Sequence, residues 1–158
     1  MKPGLVTTLS SGLPARLIDV TFPVIEDTRR DEIHFARLVD VETTLPPPLA
    51  LGPYCRYLTL SHCWGSSLLE DDKTVASSLE ERKRQIKVSS FCKNFQDAIE
   101  ITRRFGERYL WIDALCIIQD SDADKAIEIA KMGDIYKNAS LNIAAGVKGD
   151  SLGGCLNR

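Results

Sequence analysis

The chain has 158 residues, 44% of them hydrophobic and 27% charged, with a formal net charge of -2. That length supports one domain with a substantial core and is short for two. The nearly balanced charge supplies no basic field for nucleic acid or for an anionic membrane surface, so neither is an expected partner.

In chain order, residues 1–14 carry the breakers Gly4, Gly12 and Pro14 and read as a flexible lead-in to a single domain over 15–158. The first twenty residues lack a basic start followed by a long apolar stretch. The five cysteines, Cys55, Cys63, Cys92, Cys116 and Cys155, are odd in number and show no CxxC spacing. Both facts point to reduced thiols in the cytosol or nucleus, with a cytoplasmic location as the expectation. Cys55, His62, Cys63 and a distant cysteine match no standard zinc spacing, so no metal site is expected.

Ala15 to Val20, ARLIDV, and Ile33 to Val41, IHFARLVDV, read as two strands separated by a charged stretch, able to pair as a hairpin or as an added small sheet. Pro46, Pro47, Pro48 and Pro53 make the next segment a linker. Tyr57 to Ser61, YLTLS, is a further strand that stops at His62, Cys63, Trp64 and Gly65, where Gly65 supplies a turn and His62 and Trp64 stand at the strand's carboxyl end. From Ser66 to Ser90 the density of charge predicts one exposed helix with mobile flanks.

Between Asn94 and Phe105 the spacing of Phe95, Ala98, Ile99, Thr102 and Phe105 predicts an amphipathic helix, with Asn94 as N-cap and Gly106 as its stop. Tyr109 to Ile118 is apolar apart from Asp113 and predicts a strand covered on both faces. A helix over Asp122 to Ala139 follows, with Ala126, Ile129, Met132, Gly133, Tyr136 and Ala139 on one face and Glu128 at its margin. Ser140 to Ala145 closes the series as another buried strand before a glycine-rich end.

Helix, strand and helix in alternation predict an α/β sheet, and such sheets collect ligands beyond the carboxyl ends of their strands. Gln119 and Asp120 lie at that position, either lining a pocket or satisfying the turn. Asp113 either supports the structure through a backbone or basic partner or faces the cleft. Glu128 reaches toward the same cleft, or pairs on the helix surface with Lys125 or Lys131. His62 could serve as a general base, yet no nucleophile with an orienting acid accompanies it. No phosphate-binding glycine loop is present.

YLTLSHCWG at 57–65, FQDAIEITRRFGERYLWIDALCIIQDS at 95–121 and EIAKMGDIYKNASLNIAA at 128–145 resemble successive blocks of the fungal heterokaryon incompatibility (HET) domain, over about residues 15–158. The family's comparison with TIR domains implies a TIR-like, flavodoxin-like α/β fold with a mostly parallel sheet flanked by helices, here with extra N-terminal strands. It also implies one of two activities in programmed cell death. The first is an NAD glycohydrolase, activated by self-association, that cleaves the nicotinamide-ribose bond. The second is a non-catalytic module that signals by homotypic assembly.

Carried over by position, Glu128 matches the catalytic glutamate, and Asp124 the acid of the family's Asp-Trp-x-x-Glu. Ser61, His62, Trp64, Gly65, Asp113, Gln119 and Asp120 fall around the nucleotide. Lys125 stands where the tryptophan is usual, removing a stacking wall or a packing contact, and Cys92 stands where many members have proline. NAD enters as substrate, with no permanently bound cofactor. Independently of the family, nicotinamide departs neutral from a cationic pyridinium, and a carboxylate beside the ribosyl centre can stabilise the positive charge left behind.

Overall fold

The structure, a computed structural model, describes residues 12–21, 35–44, 56–61 and 68–145. Six strands form one sheet in the order β4-β2-β1-β5-β3-β6. They are β1 (Arg16–Asp19), β2 (Phe35–Asp40), β3 (Tyr57–Ser61), β4 (Ile86–Lys87), β5 (Tyr109–Ile112) and β6 (Leu141–Ala144). Helices α1 (Val41–Thr44), α2 (Leu79–Arg84), α3 (Lys93–Arg104), α4 (Asp113–Cys116) and α5 (Asp122–Asn138) connect them.

The sheet is mixed, which corrects the expectation of a mostly parallel one. β5, β3 and β6 run parallel, with Leu58 opposite Leu110 on one side and Leu141 on the other. β1 and β2 form the expected hairpin, Leu17 opposite Val39, and β1 lies antiparallel against β5 through Ile18 and Leu110. Thus the N-terminal strands extend the parallel core rather than forming a separate sheet. β5 is interior, as its apolar run predicts, between β1 and β3.

The chain visits β3, steps one way to β5, then returns past β3 to β6. A reversal of this kind is a topological switch point, and in such sheets ligands bind beyond the carboxyl ends of the strands there, here β3 and β5. Leu17, Ile18, Leu38, Leu58, Leu60, Leu110 and Ile112 fill the core with Phe95, Ala98 and Ile99 of α3. Each such apolar side chain contributes about 1.5–3 kcal/mol on burial. Arg103, in the last turn of α3, donates to the carbonyls of Val20 and Phe35 and ties that helix to the hairpin.

Several local expectations change. β5 ends at Ile112, and Asp113 opens the single turn α4 by accepting the Ala114 N–H at 2.7 Å. An unbroken apolar run signals burial without distinguishing strand from helix, and Ala114, Leu115 and Cys116 are as buried as the strand. In α3 Asn94 is buried inside the first turn, and Phe105, at the C-cap, is 64% exposed because it lies beyond the buried stripe. Gly106 follows at φ 72°, a left-handed stop that suits glycine.

The charged segment is also less solvated than its composition predicts. α2 spans six residues, and short 3₁₀ turns surround it. Asp72 is fully buried and accepts from the N–H groups of Cys92 and Leu69, while Arg82 donates to the carbonyls of Asp71 and Lys73 and lies over the Phe91 ring. Among the described residues no helix is long and apolar enough to cross a membrane.

Asp19, at the end of β1, collects the β1–β5 edge. It is 1% exposed and accepts from Arg108 at 3.0 and 3.2 Å, from Arg37 and from the N–H and hydroxyl of Thr21. Burial pushes its carboxyl up, but the bonds from Arg108 and Thr21 and the Arg108 charge outweigh it and hold the group below its ordinary value. A depressed carboxylate contributes stability that is complete above its unfolded pKa, about 3.9, and is lost as pH falls through the lower folded value. Arg108 remains half exposed, so Asp19→Asn is expected to cost about 2 kcal/mol at pH 7, below the cost of breaking a fully buried pair. Urea unfolding at pH 7 and at pH 2–3 checks this: the gap between wild type and variant should close at the acid end, and an equal gap at both would contradict it.

Candidate functional site

α5 runs from the carboxyl end of β5 toward the amino end of β3. At its start Ser121 accepts the Asp124 N–H as N-cap, and the chain leaves the carboxyl end of β5. Toward its end the Tyr57 hydroxyl donates to the Ile135 carbonyl at 2.7 Å, and Ser140 N–H donates to Tyr57, at the amino end of β3. The inward face follows from that path and corrects the predicted one. Glu128 and Ile135 are buried, with Asp124, Lys125, Lys131, Met132, Tyr136 and Ala139 half-buried beside them, whereas Ala126, Ile129 and Gly133 face solvent.

Glu128 is therefore not at the margin between core and solvent: it is 0% exposed. One carboxylate oxygen accepts the Ala15 N–H at 3.2 Å and the other accepts Lys131 Nζ at 3.1 Å. Next to it Arg16, itself buried, donates to the Cys116 carbonyl at 3.0 Å and pairs with Asp124. Asp124 also accepts the Ile118 N–H at 2.8 Å. Two acids and two bases thus form a polar seam between α5 and the chain entering β1. A carboxylate this far from water needs such partners, because an uncompensated buried charge costs several kcal/mol.

Further along α5, Tyr136 meets the ends of β3 and β5. Its ring packs edge-on against Trp111, centroids 5.4 Å apart, and its hydroxyl bonds Ser61. Burial and the Asp113 charge push the phenol up against the pull of the Ser61 bond. The indole N–H of Trp111, fully buried, has no hydrogen-bond partner among the described residues. Ser61, Asp113, Tyr136 and Trp111 therefore gather at the carboxyl ends of β3 and β5. Asp113 and Glu128 both act electrostatically on the buried Cys116 between them.

Of the residues named from sequence, the structure groups Ser61 and Asp113 with Tyr136 and seals Glu128 beside Ala15. Gln119 and Asp120 hold the turn: Gln119 donates to the carbonyls of Asp113 and Ile117, and Asp120 accepts the Ala76 N–H at 2.8 Å. His62, Trp64 and Gly65 lie outside the described residues. Sequence reasoning missed Arg16, hidden as the one cation in an apolar strand, and gave Tyr136 a packing role only. Lys131 was named as a partner of Glu128, and the pair forms, although on the inward side of the helix.

Cys92 and Cys116 are free and buried. Burial pushes their thiols up to about 11 and about 12, against which bonds to neighbouring backbone have a smaller effect. Thiols so rarely ionised at neutral pH make poor nucleophiles. Among the described residues no group of three or more His, Cys, Asp or Glu side chains is placed to hold a metal ion.

Fold and site together define a small mixed α/β domain with a polar cluster at its strand ends and an acid buried on the following helix. Residues 57–158 match the family model described as "Heterokaryon incompatibility protein (HET)", and the chain belongs to that family. It is similar to heterokaryon incompatibility protein 6, OR allele, of Neurospora crassa, at 30% identity over 94 residues. That match covers 56% of this chain and 14% of the relative, so the chain spans a small part of the relative's length. No solved structure matches it.

Both described partners of Glu128 are donors, whereas a glutamine offers one acceptor and an amide N–H that would face a second donor. Glu128→Gln is expected to lose about 2 kcal/mol and to lower Tm by roughly 4–8 °C. Differential scanning calorimetry reads this, and an unchanged Tm would show that the pairing contributes nothing. Cys116 should also resist iodoacetamide at pH 7.5 in the folded chain and react fully once unfolded. Peptide mass mapping checks that, and rapid labelling of the folded protein would refute its burial.

Proposed function

We propose that this domain acts in fungal heterokaryon incompatibility and the cell death that results from it, as a TIR-like NAD glycohydrolase with Glu128 as the carboxylate at the reacting ribose. Membership of the HET family supports the biological setting. The observation that carries the chemistry is a glutamate without solvent contact, on the helix that follows an interior strand.

In a site with little water, a fixed negative charge stabilises a developing cation more strongly than it would in solvent. Cleavage of the bond between nicotinamide and ribose creates such a cation as the pyridinium leaves neutral. Glu128 is already neutralised by Lys131, so a substrate cation meets its charge once that ammonium moves aside. Ser61, Tyr136 and Asp113 supply hydroxyl and carboxylate groups at the strand ends, suited to ribose hydroxyls. His62, Trp64 and Gly65, next after β3 in the sequence, are the further nucleotide-side residues of this reading, with Gln119 and Asp120 shaping the floor. Self-association gates the activity in this reading.

A second reading is a non-catalytic module that signals by homotypic assembly in the cytoplasm. One observation favours it: both oxygens of Glu128 are engaged by the protein itself, which makes the acid a structural staple.

Purified protein at high concentration, incubated with NAD, separates the two. Nicotinamide release is expected to fall at least 100-fold in a Glu128→Asp or Glu128→Gln variant that remains folded at the assay temperature. A folded, self-associated wild type that releases none would remove the enzyme reading for this domain and leave the module.

A further inference from the structure

Glu128 is reached first by the four residues that lead into β1. Gly12, Leu13, Pro14 and Ala15 run against the direction of α5 and are fastened to it at three places. The Gly12 carbonyl accepts from Asn138 at 3.2 Å, the Leu13 carbonyl accepts from Lys131 at 3.4 Å, and the Ala15 N–H donates to Glu128 at 3.2 Å. The stretch from Glu128 to Asn138 covers about 15 Å of helix, while three residues of extended chain cover about 10 Å. The long side chains of Lys131 and Asn138 lean in to close the difference.

These four residues are fastened differently from β1 itself. From Arg16 onward the chain is in the sheet, paired with β2, and Ile18 pairs with β5 as well. Before Arg16, among the described residues, the backbone is held by side chains of α5 and by one sheet-like bond, Val41 N–H to the Ala15 carbonyl at 2.9 Å. Leu13 is only partly buried against the core. Arg16, clamped by Asp124 and the Cys116 carbonyl, marks where a peeling chain would stop. Lys131 touches both the strap and the acid, so releasing the Leu13 carbonyl also frees the ammonium to move.

We propose that residues 12–15 form a releasable strap that closes the domain over Glu128, and that its detachment, hinged at Arg16, uncovers the carboxylate to a cationic substrate. This regulatory role rests on Glu128 being the reacting acid; the cover itself does not. The strap corrects the expectation that the lead-in is loose as far as residue 14, since Gly12 and Leu13 are held through their backbones.

The test uses the whole chain. Leu13→Asp with Asn138→Ala loosens the strap and leaves Glu128 and Lys131 intact. Carbodiimide coupling of Glu128 to an amine, read by peptide mass mapping, should rise at least 10-fold over wild type, while Asp72, buried elsewhere, stays unlabelled. Nicotinamide release from NAD is measured on the same samples. A rise in both, with release lost on adding Glu128→Asp, supports strap and enzyme together. Labelling without release in the self-associated variant supports the strap as a cover and removes Glu128 from the chemistry. Equal labelling of Glu128 in wild type and loosened variant overturns the strap. Should the variant not fold, hydrogen exchange of the wild type decides: the Leu13 and Ala15 amides should exchange at least 100-fold faster than Ile18. Exchange of Ala15 only at the rate of Ile18 overturns the proposal equally.

Discussion

A carboxylate with no water around it must be neutralised by the protein, and Glu128 is the point at which this fold meets that demand. Its partners come from two places far apart in sequence, Ala15 before the first strand and Lys131 one turn along its own helix. The seam is completed by Arg16 and Asp124, also from the strand and the helix. Neither side can be buried stably alone, since each would carry an unpaired charge or an unsatisfied N–H into the interior. Docking of α5 and placement of β1 are therefore one event energetically. The N-terminal hairpin belongs to the domain for that reason, and because β1 covers the edge of β5 that would otherwise be open.

The same demand shapes the rest of the sheet. The parallel strands β5, β3 and β6 need long crossovers, which α3 and α5 supply, and the change of direction between those crossovers falls at the strand ends where Ser61, Asp113 and Tyr136 meet. The antiparallel half needs none and is closed by side chains. Asp19 with Arg108 and Arg37 secures its junction with β5, and Arg103 reaches from α3 to both strands of the hairpin. Polar fastenings of this sort add modest stability each, but they fix which strand lies where. The apolar core would accept more than one neighbour.

Placing Glu128 under the segment that enters β1 gives the site a character that an open cleft lacks. In the proposed reading, reactivity toward a cation and protection from it are set by one set of hydrogen bonds, which water replaces once the segment lifts. Trp111 presents an unanswered donor beneath Tyr136, and two thiols raised far above neutrality flank α3 and α4 without contributing a nucleophile. Among the described residues, the chemical resources at the strand ends are carboxylates, hydroxyls and an indole.

The order of elements was legible in the sequence because it rests on local signals. A continuous apolar run marked β5 as buried, Gly106 marked the end of α3, and the acids after Gln119 marked the start of α5. The candidate site was legible in its residues and not in their surroundings. Glu128, Asp113 and Ser61 were identified by position, but their surroundings were not, because burial of a charge depends on a partner that periodicity does not reveal. On α5 the hydrophobic pattern named Ala126, Ile129 and Gly133 as inward, whereas the helix turns its charged residues inward, where Arg16 and Ala15 wait for them. Strand direction escaped for a related reason, since ARLIDV reads the same whether β1 runs with β5 or against it. Sequence settled what each segment would become. Only the tertiary structure could decide which face and which direction it would present, because those choices are made by pairing between residues a hundred positions apart.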